Sequence, residues 1–171
     1  MKTNATLAAL AIFAGMALSA GSALAHEKHD SKKASATVKK EQKPWGIAGA
    51  AKAASRTIEI AMSDDMRFTP SNIEVKQGET VKFVVRNKGK VLHEMVIGDK
   101  KTLDEHAALM VKFPGMEHDE PYMAHVAAGK DASLVWNFNR PGDFDFACLI
   151  AGHYQAGMVG KIKVSAAGAS R

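Results

Sequence analysis

From Arg56 onward, apolar residues recur at every second position along most of the chain, the period of β-strands with one face in a core and the other in solvent. Thr57-Ile-Glu-Ile-Ala-Met62 alternates in this way. Asn72 to Lys76 is a second short strand, and Gln77-Gly78-Glu79 turns the chain into Thr80-Val-Lys-Phe-Val-Val-Arg86, a β-branched strand closed by Asn87-Lys-Gly89. His93-Glu-Met-Val-Ile97 follows, so His93 stands at a strand entry beside a loop. Further strands are predicted at Met123 to Ala127, Ala132 to Phe138, Asp143 to Ala147 with Phe144 and Phe146 inward, and Val159 to Val164. Ser63 to Pro70 reads as a loop that turns Phe68 inward. The period changes to that of a helix only between Thr102 and Lys112, with Thr102 as N-cap, Asp104 and Glu105 in the first turn, and Pro114-Gly115 as the stop. Seven or eight short strands with regular turn signals and one helical insertion predict an all-β sandwich over residues 45–165.

The segment before this pattern has a different character. Lys2, the apolar run Leu7 to Leu18 and Ala23-Leu24-Ala25 make a secretory signal peptide over residues 1–25, cleaved after Ala25. The run is short of the ~20 apolar residues that a membrane span needs. Export, most simply to a bacterial periplasm, is the expectation, with no membrane span after cleavage. Residues 26–44 form a Lys- and Ala-rich tail without apolar period, expected to be disordered, and residues 166–171 a short tail of small residues. His26 would become the new N-terminus, and with His29 it could chelate Cu(II). Trp45 and Ile47 are expected to pack on the domain.

The net charge of +5 belongs to the leading part of the chain: from His26 to Arg56 there are eight Lys/Arg against three Asp/Glu, and from Thr57 onward 14 against 15. A nearly neutral body lacks the basic stripe of a nucleic-acid-binding fold, so no nucleic-acid partner is expected. No Gly-x-Ser-x-Gly elbow, phosphate loop or His-Glu-x-x-His helix is present, which leaves the hydrolytic classes without support.

The chemistry concentrates at Cys148-Leu-Ile-Ala-Gly-His153-Tyr-Gln-Ala-Gly-Met158. In an oxidising compartment cysteines usually pair, and Cys148 is the only cysteine of the chain. Thiolate, imidazole and thioether at equal intervals on one inter-strand loop suit copper, and a thiolate, two imidazoles and a weak axial thioether compose the trigonal blue-copper arrangement. His93 is the best-placed second imidazole. Gly152 and Gly157 precede the second and third ligands and free the backbone to aim them. A second cluster crowds into the insertion: His106, Met110, Met116, His118, Met123 and His125 fall within 20 residues. Their soft thioethers and imidazoles suit Cu(I). A further copper site is expected chiefly from Met116, His118, Met123 and His125.

The sequence resembles the cupredoxins, the small blue-copper sandwich family. Phe68-Thr-Pro70, Ile73-Glu-Val75, Gly78-Glu-Thr80, Asn87 and His93 match the usual first half, and Cys148-x4-His153-x4-Met158 followed by Val159-Gly160 matches the ligand loop. The segments Pro114 to His125 and Phe144 to His153 resemble more narrowly the exported copper-tolerance cupredoxins of the CopI type. The resemblance runs from about Trp45 to Val164. It implies a Greek-key sandwich with type 1 copper at His93, Cys148, His153 and Met158, and histidine edges near the surface as an electron port. Where a proline often stands in the ligand loop, this chain has Ala151.

The expected function is periplasmic copper tolerance by a monomer that binds or oxidises Cu(I) and passes copper or electrons to a redox or copper-transfer protein. A soluble one-electron carrier of a respiratory chain would use the same ligands and leave the Met/His insertion without a role. A cuprous oxidase is a third reading. The chain has no His-x-His pair, so binding or electron transfer is expected rather than catalysis.

Overall fold

The structure, a computed structural model, describes residues 40–116 and 118–168. The expected signal peptide, His26, His29 and the last three residues of the C-terminal tail lie outside the described residues. In chain order the elements are β1 (Ile47–Ala48), a single 3-10 turn (Ala51–Ala53), β2 (Arg56–Ser63), β3 (Arg67–Thr69), β4 (Asn72–Lys76), β5 (Thr80–Asn87), β6 (His93–Gly98), α1 (Lys100–Lys112), β7 (Met123–Val126), β8 (Asp131–Asn137), β9 (Gly142–Ala147) and β10 (Val159–Ser165). They form two five-stranded sheets, ordered β1-β8-β5-β2-β3 and β4-β10-β9-β6-β7. Most neighbours are antiparallel, but β2 pairs with β5 and β4 with β10 in parallel. This is an all-β sandwich. Its strand count exceeds the expectation because β1 and β3 are too short to show a period: β3 pairs Phe68 with Met62 inside the expected Ser63 to Pro70 loop.

The sheets meet over Ile60, Phe83, Val85, Met95, Ile97, Trp136, Phe146 and Ile162, all fully buried or within 1% of it. Phe146 packs edge-on against Phe68 of the other sheet at 4.9 Å between ring centroids. Trp45 is 3% exposed, and its carbonyl accepts the Trp136 indole N–H at 2.9 Å, which pins the segment leading into β1 to the first sheet.

The strands β4 and β10 alternate buried with exposed positions, while β6 is buried at every residue. The cause is α1. Leu103, Ala107 and Met110 share one helix face and cover the outer side of the second sheet, where Val96, Met123, Ala147 and Leu149 join them in a second apolar cluster. Burying a Leu or Met side chain in this way contributes roughly 1.5–3 kcal/mol. The N-cap falls three residues earlier than the pattern predicts: Asp99 caps the helix, and its carboxylate accepts from Thr102 N at 2.8 Å. Asp104 and Glu105 therefore lie in the second turn, paired with Lys100 at 2.6 Å and Lys101 at 3.9 Å.

The strand period decides what each side of the second sheet holds. Along β6 and β7, Met95, Ile97, Ala124 and Val126 face the sandwich core, and Val96 and Met123 face the helix. His93 and Glu94 thus point to opposite sides of one sheet. Cys148 continues the inward series of Phe144 and Phe146, and Leu149 the outward one.

Candidate metal centre

Three elements at one end of the sandwich bring the first cluster together. Cys148 leaves β9, His153 sits on the loop to β10, and His93 opens β6. Gly152 and Gly157, with φ of 91° and 85°, take the left-handed backbone that the two bends of that loop require. Backbone bonds fold the loop onto itself: Cys148 N donates to Met158 O and Met158 N to His153 O, both at 3.1 Å. Arg67 of β3 donates to Ala156 O at 3.1 Å, and Tyr154 donates its hydroxyl to Asp104 of α1 at 2.6 Å. Burial and the Asp104 carboxylate push the Tyr154 hydroxyl up to about 12, which keeps this donor protonated. On the other side, the buried Asn87 amide donates to Val91 O at 2.7 Å and Val126 O at 2.8 Å, setting the turn that delivers His93.

One ligand atom each of His93, Cys148 and His153 lies within 4.8 Å of the others. Cys148 Sγ and His153 Nδ1 are 3.3 Å apart, and the two imidazole centroids 4.9 Å. Cys148 and His93 are fully buried, while His153 reaches the surface. His93 Nε2 lies 3.1 Å from Asp64 Oδ1, which leaves Nδ1 buried and without a hydrogen-bond partner among the described residues. A buried nitrogen with a free lone pair beside a thiol is what a metal ion would satisfy. Lys90 N donates to the Asp64 carboxylate at 2.8 Å, and this bond, with that to His93, holds its carboxyl below the ordinary carboxylate range. Met158 is fully buried in the core cluster that contains Cys148.

Electrostatics keep the sulfur protonated until a metal binds. Burial pushes the Cys148 thiol up to about 12, against partial relief from the backbone N–H groups of Glu94 and Ile150. Glu94 N lies 3.4 Å from Cys148 Sγ, a donor placed to bear on a thiolate. Burial, and then the neighbouring His93, lower the basicity of His153. A thiol, two imidazoles and a buried thioether are the donor set that fits copper.

The second expected cluster assembles differently from its sequence pattern. Met116, His118 and His125 line a cavity of about 520 Å³, together with Met110 and Leu92. Met123 is not drawn into it: at 8% exposure it packs in the cluster under α1. Met123→Ala is therefore expected to lower stability by about 2–5 kcal/mol, as large-to-small core changes do. Denaturant unfolding and a copper count would check it, and the count should not change. His106 of α1 instead stands next to His118. Its ring centroid is 4.6 Å from that of His118, which is 6.2 Å from that of His125. Burial, and then the two neighbouring imidazoles, lower the basicity of His106.

Asp64, Glu94 and Arg67 were not singled out by the pattern. A carboxylate in the otherwise apolar strand His93-Glu-Met-Val-Ile97 was the available signal for Glu94; Asp64 and Arg67 act across a fold that sequence spacing does not display.

A sandwich with a cysteine and two histidines clustered at one end defines a class of copper-site proteins. The sequence profile of the copper binding proteins, plastocyanin/azurin family, matches residues 54–165. The chain is 43% identical over 164 residues to the copper-resistant cuproprotein CopI of Rubrivivax gelatinosus, covering 96% of this chain and 99% of the relative. It is 38% identical over 149 residues to the protein of the same name from Pseudomonas aeruginosa, covering 70% and 82%. Among solved structures, dithionite-reduced auracyanin of Roseiflexus castenholzii superposes with a TM-score of 0.54 at 24% identity, over 66% of this chain and 98% of that one. The chain belongs to the plastocyanin/azurin family of copper-binding proteins, and copper is its cofactor.

Proposed function

We propose that this protein serves copper resistance and that Cys148 Sγ, His93 Nδ1, His153 Nδ1 and, more weakly, the Met158 thioether would hold one type 1 copper. The observation that carries the ligand set is the convergence of His93, Cys148 and His153 donor atoms within 4.8 Å, with His93 Nδ1 buried and unpaired among the described residues. Bound copper supplies a one-electron couple. The chain's own residues position it: Asp64 orients His93, the Glu94 N–H bears on the sulfur, and the loop bonds between Cys148, His153 and Met158 fix the intervals between donors. The half-exposed His153 edge is where electrons or copper would pass to a periplasmic protein partner. The near full-length match to proteins named for copper resistance supports tolerance over respiratory electron transfer, and the absence of a His-x-His pair disfavours an oxidase.

In this reading the leader exports the chain, and residues 45–165 form the copper-binding body; no helix among the described residues is long and apolar enough to cross a membrane. The test is growth of a copper-sensitive strain lacking its own copy. Wild-type protein is expected to restore growth under copper, and Cys148→Ser at equal abundance to restore none. Full rescue by Cys148→Ser would sink the type 1 centre as the functional one.

A further inference from the structure

We infer that the second sheet carries a second copper site on its outer face, built from His106, His118 and His125 and oriented by Glu94; copper as its ligand rests on the reading above. The residues come from three elements. His106 projects from α1, His118 from the loop after it, and His125 from β7, and their rings run in series at 4.6 and 6.2 Å. Both ring nitrogens of His118 are buried and lack a hydrogen-bond partner among the described residues. A neutral imidazole carries one donor and one acceptor, so leaving both unpaired out of water costs free energy that a metal ion at the acceptor nitrogen would offset. The cavity beside His118 and His125 has room for an ion and its ligands, and the Met116 and Met110 side chains that line it bring thioethers within its walls. Imidazole and thioether are a soft set that suits Cu(I).

Glu94 supplies the orienting partner such a site needs. It is 1% exposed, and Oε2 lies 2.8 Å from His125 Nε2 while Oε1 accepts from Leu149 N at 2.8 Å. A carboxylate holding the far nitrogen of a ligating imidazole fixes its tautomer and aims the other nitrogen. Asp119 Oδ1, at 3.6 Å from His125 Nδ1, adds negative charge at the mouth.

The two sites share one strand. His93 faces the first and Glu94 the second, Glu94 pairs in register with His125, and its backbone N–H bears on Cys148 Sγ. Glu94 thus touches both sites, with its carboxylate at His125 and its backbone N–H at Cys148 Sγ.

The test is an anaerobic Cu(I) titration of the full chain against a chromophoric chelator, in a His26→Ala/His29→Ala background so that tail histidines are not counted. His118→Gln, which removes a ring with no hydrogen bond to lose, and His106→Gln/His118→Gln should each bind one equivalent fewer than the parent. Both should keep the visible band of the Cu(II) protein at full intensity. Cys148→Ser should lose the band and keep the equivalent that depends on His118. Glu94→Gln, a positioning change, should weaken that equivalent about tenfold or more and shift the band, as loss of an outer partner does. Parent stoichiometry in the His118 variants, with melting temperatures unchanged, would overturn the site. Loss of the band in the same variants would also overturn it, since the histidines would then serve the first site. A colourless parent that still loses one Cu(I) equivalent with His118 would instead sink the type 1 reading and leave this one standing.

Discussion

Cys148→Ser is expected to abolish the intense visible colour of the Cu(II) protein and to lower copper affinity at the first site by more than the roughly 10–100-fold typical of losing an outer partner. The colour of such a centre needs a thiolate, and a serine hydroxyl stays protonated and binds copper poorly. The fold should tolerate the change. Cys148 is fully buried between Phe146 and the Met158 backbone, and serine is smaller by little, so the cost is that of a buried hydroxyl, about 1–3 kcal/mol. Its neighbour His153 Nδ1, at 3.3 Å from the sulfur, is placed to accept from the new hydroxyl and limit that cost. Absorbance of the Cu(II)-loaded variant, with unfolding measured in parallel, separates loss of ligand from loss of fold. Retained colour would mean that copper sits elsewhere.

The clustering of His93, Cys148 and His153 was legible because its information is local. A loop that closes on itself between two paired strands sets Cys148, His153 and Met158 by spacing alone, and period-two alternation puts Cys148 in line with the inward Phe144 and Phe146. His93 was legible for the same reason, at the start of an apolar strand. The second cluster depends on where α1 lies, and that is tertiary. Met123 and His125 share a face of β7, so spacing alone made them equal candidates. The helix covers Met123 with Leu103 and Ala107, while His125 falls at the edge beside the cavity. His106 comes beside His118 because the Leu103–Ala107–Met110 stripe is held against the sheet, which leaves His106 turned toward the loop that carries His118. Nothing in the neighbours of Glu94 along the chain announces that a helix buries the outer face of the sheet.

Alkaline pH is expected to destabilise the copper-free protein and to strengthen copper binding, and both follow from one thiol. Burial moves Cys148 from an ordinary 9.0 to about 12. Below pH 9 the thiol is protonated in folded and unfolded chains alike, so its contribution does not change. Between about 9 and 12 the unfolded chain has lost the proton that the folded chain retains, so stability falls by about 1.4 kcal/mol per pH unit. Lysines and tyrosines titrate in the same range, and the difference between wild type and Cys148→Ala isolates the thiol. Denaturation midpoints of the copper-free pair, taken from about pH 8 to about pH 10, should therefore converge or cross as pH rises. Copper takes the thiolate, so binding expels the proton, and the apparent constant should rise about tenfold per pH unit below the folded value. From about pH 8 to about pH 9, above the histidine range, chelator competition corrected for the chelator's own protonation should show close to tenfold tighter binding. A flat profile would mean that the sulfur is already ionised without metal, so that the Glu94 and Ile150 N–H groups outweigh burial rather than yield to it.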